Sequence, residues 1–364
     1  MSEKNKLVFS LFRDKPKGEI NIPALGIENS KIPAKPGEQF DTHLFLPEGE
    51  GRKGEGGLRT KGFFKFSYKL VDGAWHICNF DGHPVMPAPT NIQGQIEEYV
   101  ESIDQGIDSS RQKITELPLI TVITVVLNKE KFLEETIQSV IAQTYPNVEY
   151  LIIDGGSTDG TLDIIRRYGE YIDYWVSEKD GGIYDAMNKG INVASGEWIN
   201  FMNGGDSFFQ EKVLEKVFTN HWKDVDVIYG NHQVVYPGRR RIVKAGEIKH
   251  IWKGSQFCHQ SAFVRKKAYK VYGFNTSRDI AADFEFFYTL YKKNMNFKYI
   301  DLVIANYPAG GLSDVRRIKT LLEWWSVVGK NGNTNLYYTV RIITELLKLW
   351  LKTTMRKMKS LFRV

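Results

Sequence analysis

From Ile120 to Phe208 the chain alternates strand and helix three times over, and each apolar strand stops at an acidic or small residue. Strands joined by crossover helices lie parallel in one sheet, and such sheets bind ligands in the crevice beyond their carboxyl ends. Thr121 to Leu127 is β-branched and almost wholly apolar, as a strand buried on both faces requires, and Asn128 ends it. Phe132, Leu133, Thr136, Ile137, Val140 and Ile141 then recur at helical spacing until Tyr145-Pro146-Asn147 supplies a stop. A second strand is predicted over Val148 to Ile153, ending at Asp154 and entering Gly155-Gly156-Ser157-Thr158-Asp159-Gly160-Thr161. The glycines of that turn let backbone N–H groups approach a ligand, and Ser157 and Thr158 are available as helix caps. The third unit joins Tyr171 to Val176 with a helix over Ile183 to Val193, through Ser177-Glu178-Lys179-Asp180-Gly181-Gly182. A last strand, Glu197 to Met202, stops at Asn203-Gly204-Gly205-Asp206.

Three of these stretches, Val125 to Leu133, Ile153 to Thr161 and Asp180 to Gly190, carry a resemblance in order and spacing. Across residues 118 to 312 the chain resembles the family 2 glycosyltransferases of GT-A fold, of the bacterial surface-polysaccharide or colanic-acid type. The resemblance implies a mainly parallel sheet flanked by helices and an inverting transfer of sugar from a nucleoside-diphosphate donor, with a UDP-sugar expected. Displacement of a nucleoside diphosphate builds negative charge on the leaving phosphate, which a divalent metal, Mn²⁺ or Mg²⁺, meets as Lewis acid and template. Asp206 is the candidate ligand by resemblance to the second aspartate of an adjacent pair; here the first of that pair is replaced by Gly205. A plain helix-capping role for Asp206 is the alternative.

By the same resemblance, Asp154 accepts a hydrogen bond from the donor base, and Asp180, Asp185, Asn188 and Lys189 lie against ribose, donor sugar or diphosphate. Lys179 and Lys189 are either phosphate partners or solvated helix cations. The acceptor hydroxyl needs a base on the side opposite the leaving group. Asp283, in Asp279-Ile280-Ala281-Ala282-Asp283-Phe284-Glu285, resembles the family's base, which follows a Gly-Phe-Asn element, here Gly273-Phe274-Asn275. Glu285 is the second choice, although two residues further along a helix it faces elsewhere. His259, in Cys258-His259-Gln260-Ser261, is either a contact to acceptor, diphosphate or metal, or a structural histidine.

The remaining sequence bounds this reading. No Gly-x-Gly-x-x-Gly turn follows the first strand and no Gly-x-x-x-x-Gly-Lys-Ser/Thr run exists, which argues against dinucleotide and P-loop enzymes. A net charge of +6 is concentrated near the C-terminus, and two cysteines make neither a disulfide scaffold nor a cysteine zinc site. Leu7 to Phe12 is too short for a signal core, so neither a secretion signal nor a spanning helix is expected.

Residues 1–115 are expected to form a β-rich accessory region with a connector helix over Ile92 to Ile107, 116–320 the GT-A domain, and 321–364 a basic helical segment. In the accessory region Gly49 to Gly57 reads as a mobile loop, and Phe63 to Leu70 with Ala74 to Phe80 as a hairpin. Its aromatics, Phe64, Phe66, Tyr68 and Trp75, are either core or sugar-stacking groups. From Leu336 onward Val340, Ile343, Leu347 and Trp350 line one stripe and Arg341, Lys348, Lys352, Arg356, Lys359 and Arg363 another. That is a basic amphipathic helix, suited to a membrane interface with Trp324, Trp325 and Trp350 at headgroup level, or else docked on protein. The expected partners are therefore the sugar nucleotide, a glycan or polyprenyl-linked acceptor and a membrane surface, without nucleic acid. The location expected is cytoplasmic, peripheral on the inner membrane. A catalytically silent, sugar-nucleotide-binding scaffold is the competing reading.

Overall fold

The computed structural model describes residues 44–79, 82–104 and 113–361. Leu7 to Phe12, Phe80, the end of the expected connector at Ile107 and Arg363 lie outside them.

In chain order the strands are β1 (Gly54–Gly56), β2 (Ser67–Val71), β3 (Ala74–Cys78), β4 (Pro84–Pro87), β5 (Glu116–Leu117), β6 (Ile120–Val126) and β7 (Val148–Asp154). They continue as β8 (Tyr174–Ser177), β9 (Trp198–Phe201), β10 (Ser207–Phe208), β11 (Val227–Tyr236), β12 (Arg239–Val243), β13 (Ala262–Arg265) and β14 (Phe297–Pro308). The α-helices are α1 (Thr90–Asp104), α2 (Leu133–Ile141), α3 (Thr161–Arg167), α4 (Ile183–Val193), α5 (Val213–Phe218) and α6 (Lys266–Tyr272). After them come α7 (Ala282–Lys292), α8 (Leu312–Val315), α9 (Arg317–Val328) and α10 (Gly332–Leu361).

Among the described residues ten strands build one sheet in the order β1-β8-β7-β6-β9-β13-β11-β14-β10, with β12 beside β11. Strands β8, β7, β6 and β9 are mutually parallel. The chain moves outward from β6 through β7 to β8 and then returns to the other flank of β6 as β9. That reversal is a topological switch point, where loops diverge and leave a crevice at the carboxyl edge.

Every residue of β6 and β7 is buried, because both faces of the sheet are covered. One face packs Val122 and Ile152 against α2, α3 and α5 through Leu133, Ile137, Ile165 and Val217; the other packs Ile123 and Ile153 against α4 and α7 through Met187 and Phe284. Each such buried Val, Ile or Leu contributes about 1.5–3 kcal/mol over an exposed one. Strand alternation therefore produces the sandwich of helices around the sheet.

The N-terminal hairpin forms as β2 against β3, inside a four-stranded sheet ordered β4-β3-β2-β5. Tyr68, Trp75 and Ile77 are buried in the same cluster as β6 and α1, so Tyr68 and Trp75 are core residues, not sugar platforms. The expected mobile loop at Gly49 to Gly57 is corrected: β1 pairs antiparallel with edge strand β8, Gly54 opposite Ser177 and Gly56 opposite Trp175. Unpaired edge N–H and C=O groups on β8 supply the reason, since a glycine-rich segment without bulky side chains lies flat along them. Buried Arg59 fastens this segment, donating to Leu44 O at 2.9 Å, Val193 O at 2.7 Å and Ser195 Oγ at 2.7 Å, and pairing with Glu149.

Helix α10 begins docked. Tyr338 is fully buried and donates to Trp252 O at 3.0 Å, while Tyr337 donates to Lys253 O at 3.1 Å. Trp324 packs on Phe284 and Trp325 stacks on Tyr338, so these two are packing residues and not headgroup anchors. Further along, Val340, Ile343, Leu347, Trp350 and Leu351 are exposed. Among the described residues no helix is long and apolar enough to cross a membrane.

Candidate active site

The turns after β6 and β7 are laced together. Asn128 holds the left-handed φ of +50°, donates its N–H to Ser157 Oγ at 2.7 Å, and accepts the Thr158 N–H on Oδ1 at 2.8 Å. Lys129 N–H donates to Thr161 Oγ1 at 2.9 Å, and Gly160 N–H to Glu130 Oε2 at 2.8 Å. The Ser-Thr-Asp-Gly-Thr run thus satisfies backbone donors of the turn after β6 while Asn128 and Glu130 answer its own, which fixes two crevice walls at once; Ser157 and Thr158 face that turn and do not cap α3.

Asp154 lies beneath this lacing with no exposed surface. Its Oδ1 accepts from Ser157 Oγ at 2.5 Å, and Oδ2 from Ser157 N–H at 3.0 Å and Ser177 Oγ at 2.6 Å. Both oxygens thus accept from the turn after β7 and from the end of β8, and Asp180 lies against the same turn. A Cβ built on Gly155 would lie 2.3 Å from Asp180 Oδ2, so this carboxylate fills the space a side chain at 155 would claim. Gly182 N–H holds the other Asp180 oxygen at 2.9 Å.

The other donor-side candidates divide. Asp185 Oδ2 accepts from Gly181 N–H at 2.9 Å and shapes the same loop. Asn188 is a brace, donating to Phe274 O at 2.8 Å and accepting from Phe274 N–H at 2.9 Å, which leaves little of its amide for a ligand. Lys189 pairs with Glu178 Oε1 at 2.8 Å and is engaged in that ion pair in this arrangement. Glu285 is also engaged, accepting from Arg278 at 3.0 and 3.1 Å and from Asn275 at 2.9 Å.

Asp206 and Asp283 approach each other through consecutive residues of one 3-10 turn, His259–Ser261. Gln260 Nε2 donates to Asp206 Oδ2 at 2.7 Å, and His259 Nδ1 lies 3.2 Å from Asp283 Oδ2. Asn203 Nδ2 meets His259 Nε2 at 3.1 Å. With that amide donating, the ring proton resides on Nδ1 and is given to Asp283, which fixes the tautomer. Asp283 sits in the first turn of α7, where Phe284 N–H donates to its Oδ1 at 2.8 Å, and its side chain remains 27% exposed.

Asp206 is 8% exposed, and burial pushes its carboxyl up to about 6, against the Gln260 hydrogen bond and nearby His259 and Lys129. Gly205 has φ of +108°, a backbone conformation that an aspartate rarely adopts. Its presence before Asp206 is therefore conformational. Among the described residues no cluster of three or more His, Cys, Asp or Glu could hold a metal. Yet the buried Asn203 Oδ1 and Gln260 Oε1 lack a donor. One carboxylate with neutral oxygens beside it fits a hard divalent ion whose other ligands are phosphate and water.

Nothing in the sequence marks Asn203 or Gln260; only folding brings Gln260 to Asp206 and Asn203 to the His259 ring that meets Asp283. A polar groove of about 1110 Å³, lined by Lys69, Cys78, Glu116, Glu197, Arg265 and Lys267, lies instead at the amino ends of β6 and β9.

The parallel run β8-β7-β6-β9 carries Asp154, Asp180 and Asp206 at or just past its carboxyl ends, where α/β sheets bind their ligands. Residues 121–297 match the family model described as Glycosyl transferase family 2. An uncharacterised glycosyltransferase of Mycobacterium tuberculosis is 32% identical over 185 residues, covering 48% of this chain and 69% of that protein. A PGL/p-HBAD biosynthesis glycosyltransferase of Mycobacterium bovis is 27% identical over 249 residues, covering 66% and 94%. The chain belongs to glycosyl transferase family 2, and its fold is GT-A.

Among solved structures, the mannosyltransferase PcManGT of Pyrobaculum calidifontis, bound to GDP-Man and Mn²⁺, aligns with TM-score 0.48 and 17% identity over 64% of this chain and 71% of that one. S. aureus TarS aligns with TM-score 0.45 and 18% identity, over 57% of this chain and 39% of that one.

Proposed function

We propose that the protein transfers a sugar, with inversion, from a nucleoside-diphosphate donor, a UDP-sugar, to a glycan or polyprenyl-linked acceptor in polysaccharide assembly. One observation carries this reading: adjacent His259 and Gln260 hold Asp283 and Asp206, placing a candidate base and a candidate metal carboxylate on one short path.

In the proposed reaction the acceptor hydroxyl gives its proton to Asp283 while its oxygen bonds to the anomeric carbon. The carbon–oxygen bond to the diphosphate breaks, and the electron pair leaves on UDP. His259, donating from Nδ1, keeps the receiving carboxylate oriented, and Asn203 keeps the ring in that tautomer. Asp206, with the amide oxygens of Asn203 and Gln260, would hold Mn²⁺ or Mg²⁺. Such an ion, when bound, neutralises charge on the departing diphosphate. Asp180 accepts from a base N–H, with Asp154 and Asp185 maintaining the turns around it.

We further propose three regions, an accessory region over 1–115, the GT-A domain over 116–320 and a helical segment over 321–364 that is peripheral on the cytoplasmic face of the inner membrane. Its exposed stripe, Leu336, Val340, Ile343, Leu347 and Trp350, adjoins Arg341, Lys348 and Lys352, which suits anionic headgroups. A panel of sugar nucleotides with Mn²⁺ tests the activity by nucleotide release. Absence of release from every sugar nucleotide, with UDP still bound, would favour the silent scaffold.

A further inference from the structure

We propose that the segment running along edge strand β8 is a positioning element for the donor, with Arg52 and Lys53 as its acting residues; this rests on the donor site assigned above. The segment is held to the sheet by Lys53 N–H to Ser177 O at 2.7 Å, by β1, and by Arg59 in the core. Arg52 and Lys53 lie just ahead of β1, and their side chains reach two different turns.

Lys53 Nζ donates to Gly156 O at 2.9 Å and Ser157 O at 2.8 Å. In a trans peptide the C=O and the following N–H point opposite ways, so these bonds also aim Ser157 N–H at Asp154 and Thr158 N–H at Asn128. One ammonium thereby fixes two peptide planes of the turn after β7. Arg52 governs the turn after β8. Its Nε and Nη2 donate to Glu178 Oε2 at 2.9 and 2.6 Å, while Lys189 holds Oε1 at 2.8 Å. Lys189 also donates to Lys179 O at 3.1 Å, and thereby reaches the loop that presents Asp180.

Asp180 faces Gly155 across the gap between these turns, so its placement needs both turns held. Arg52 and Lys53 touch no reacting atom in this scheme. They act on donor affinity by holding the Asp180 loop and the Asp154 turn in register, which lowers the ordering cost of binding.

The test uses full-length protein and a nucleotide-release assay, with UDP and Mn²⁺ titrated calorimetrically. Arg52→Ala and Lys53→Ala are expected to raise donor KM and UDP Kd about tenfold each, with kcat at saturating donor within about twofold. Arg52→Lys, which keeps charge but not the fork, should recover part of the loss. Lys61→Ala removes a surface pair to Glu170 on the same segment and should leave donor KM unchanged. In a Glu178→Gln background, Arg52→Ala should add less than about threefold, because both changes break one interaction. If Arg52→Ala does not fold, Arg52→Lys and Lys53→Met take its place.

A donor KM and UDP Kd within about threefold of wild type in both Arg52 and Lys53 variants overturn the proposal, as does a fall in kcat alone. Wild-type protein that binds no UDP with Mn²⁺ sinks the donor reading as well. Wild-type binding with unchanged variants sinks only the positioning role.

Discussion

Asp283→Asn is the most direct perturbation of the proposed chemistry. The substitution keeps shape and an oxygen able to accept the Phe284 N–H at 2.8 Å, yet removes the charge and the basicity. A positioned general base contributes about 10²–10⁴-fold, roughly 3–5 kcal/mol of activation free energy. The structural cost is smaller. Asp283 remains 27% exposed, so little desolvation is relieved, and loss of a carboxylate from the first turn of α7 costs about 0.3–1 kcal/mol. Weakening the 3.2 Å contact to His259 adds a further cost of about 1 kcal/mol. Transfer should therefore fall about a thousandfold, near the middle of that range, while stability drops by only about 1–2 kcal/mol. The assay is single-turnover transfer at saturating donor, alongside UDP–Mn²⁺ affinity and a thermal melt. Retention of more than about a tenth of wild-type rate would refute the assignment. A UDP affinity weakened by the same factor as the rate would refute it too, by placing Asp283 in donor binding.

Asp206→Asn should remove Mn²⁺-stimulated turnover without lowering the melting temperature at neutral pH, measured by nucleotide release against Mn²⁺ concentration. Since Asp206 titrates at about 6 in the fold and 3.8 is its ordinary value, its protonated form favours the fold. That contribution is fully present below pH 4 and is lost as pH rises through 6, on the order of 3 kcal/mol in metal-free protein. Denaturant midpoints between pH 4 and 7 check it, with Asp206→Asn showing a flatter profile. Arg59→Met leaves Glu149 buried without its counter-charge, with Thr121 Oγ1 at 2.6 Å, Ser195 N–H at 2.8 Å and the Ser195 hydroxyl as neutral donors, and should cost about 3–5 kcal/mol by urea unfolding. Truncation after Glu345 keeps docked Tyr337 and Tyr338 but removes Leu347 and Trp350, and should abolish salt-sensitive binding to anionic vesicles in a flotation assay.

Along the chain, what could be read was what neighbours decide. Strand and helix periods, the turn residues after each strand and the family resemblance gave β6, β7, α2 and α4 nearly to the residue, and placed Asp154, Asp180 and Asp206 at strand ends. Burial on both faces leaves a strong periodic mark, and turn chemistry uses residues only a few positions apart. The same locality misled at Gly49 to Gly57, where glycine content suggested mobility and the free edge of β8 made a strand.

Roles set by distant partners had no such mark. Arg52 meets Glu178 across 126 positions, Gln260 reaches Asp206 across 54, and Asp154 turns inward because Ser177 arrives from the neighbouring strand. The sequence by itself determined the elements of the parallel core and which end of the sheet carries the acidic residues. Which of those acids face the crevice, which brace a turn, and which residues connect Asp206 to Asp283 was decided by tertiary structure, because a carboxylate's function follows from the donors that surround it in space.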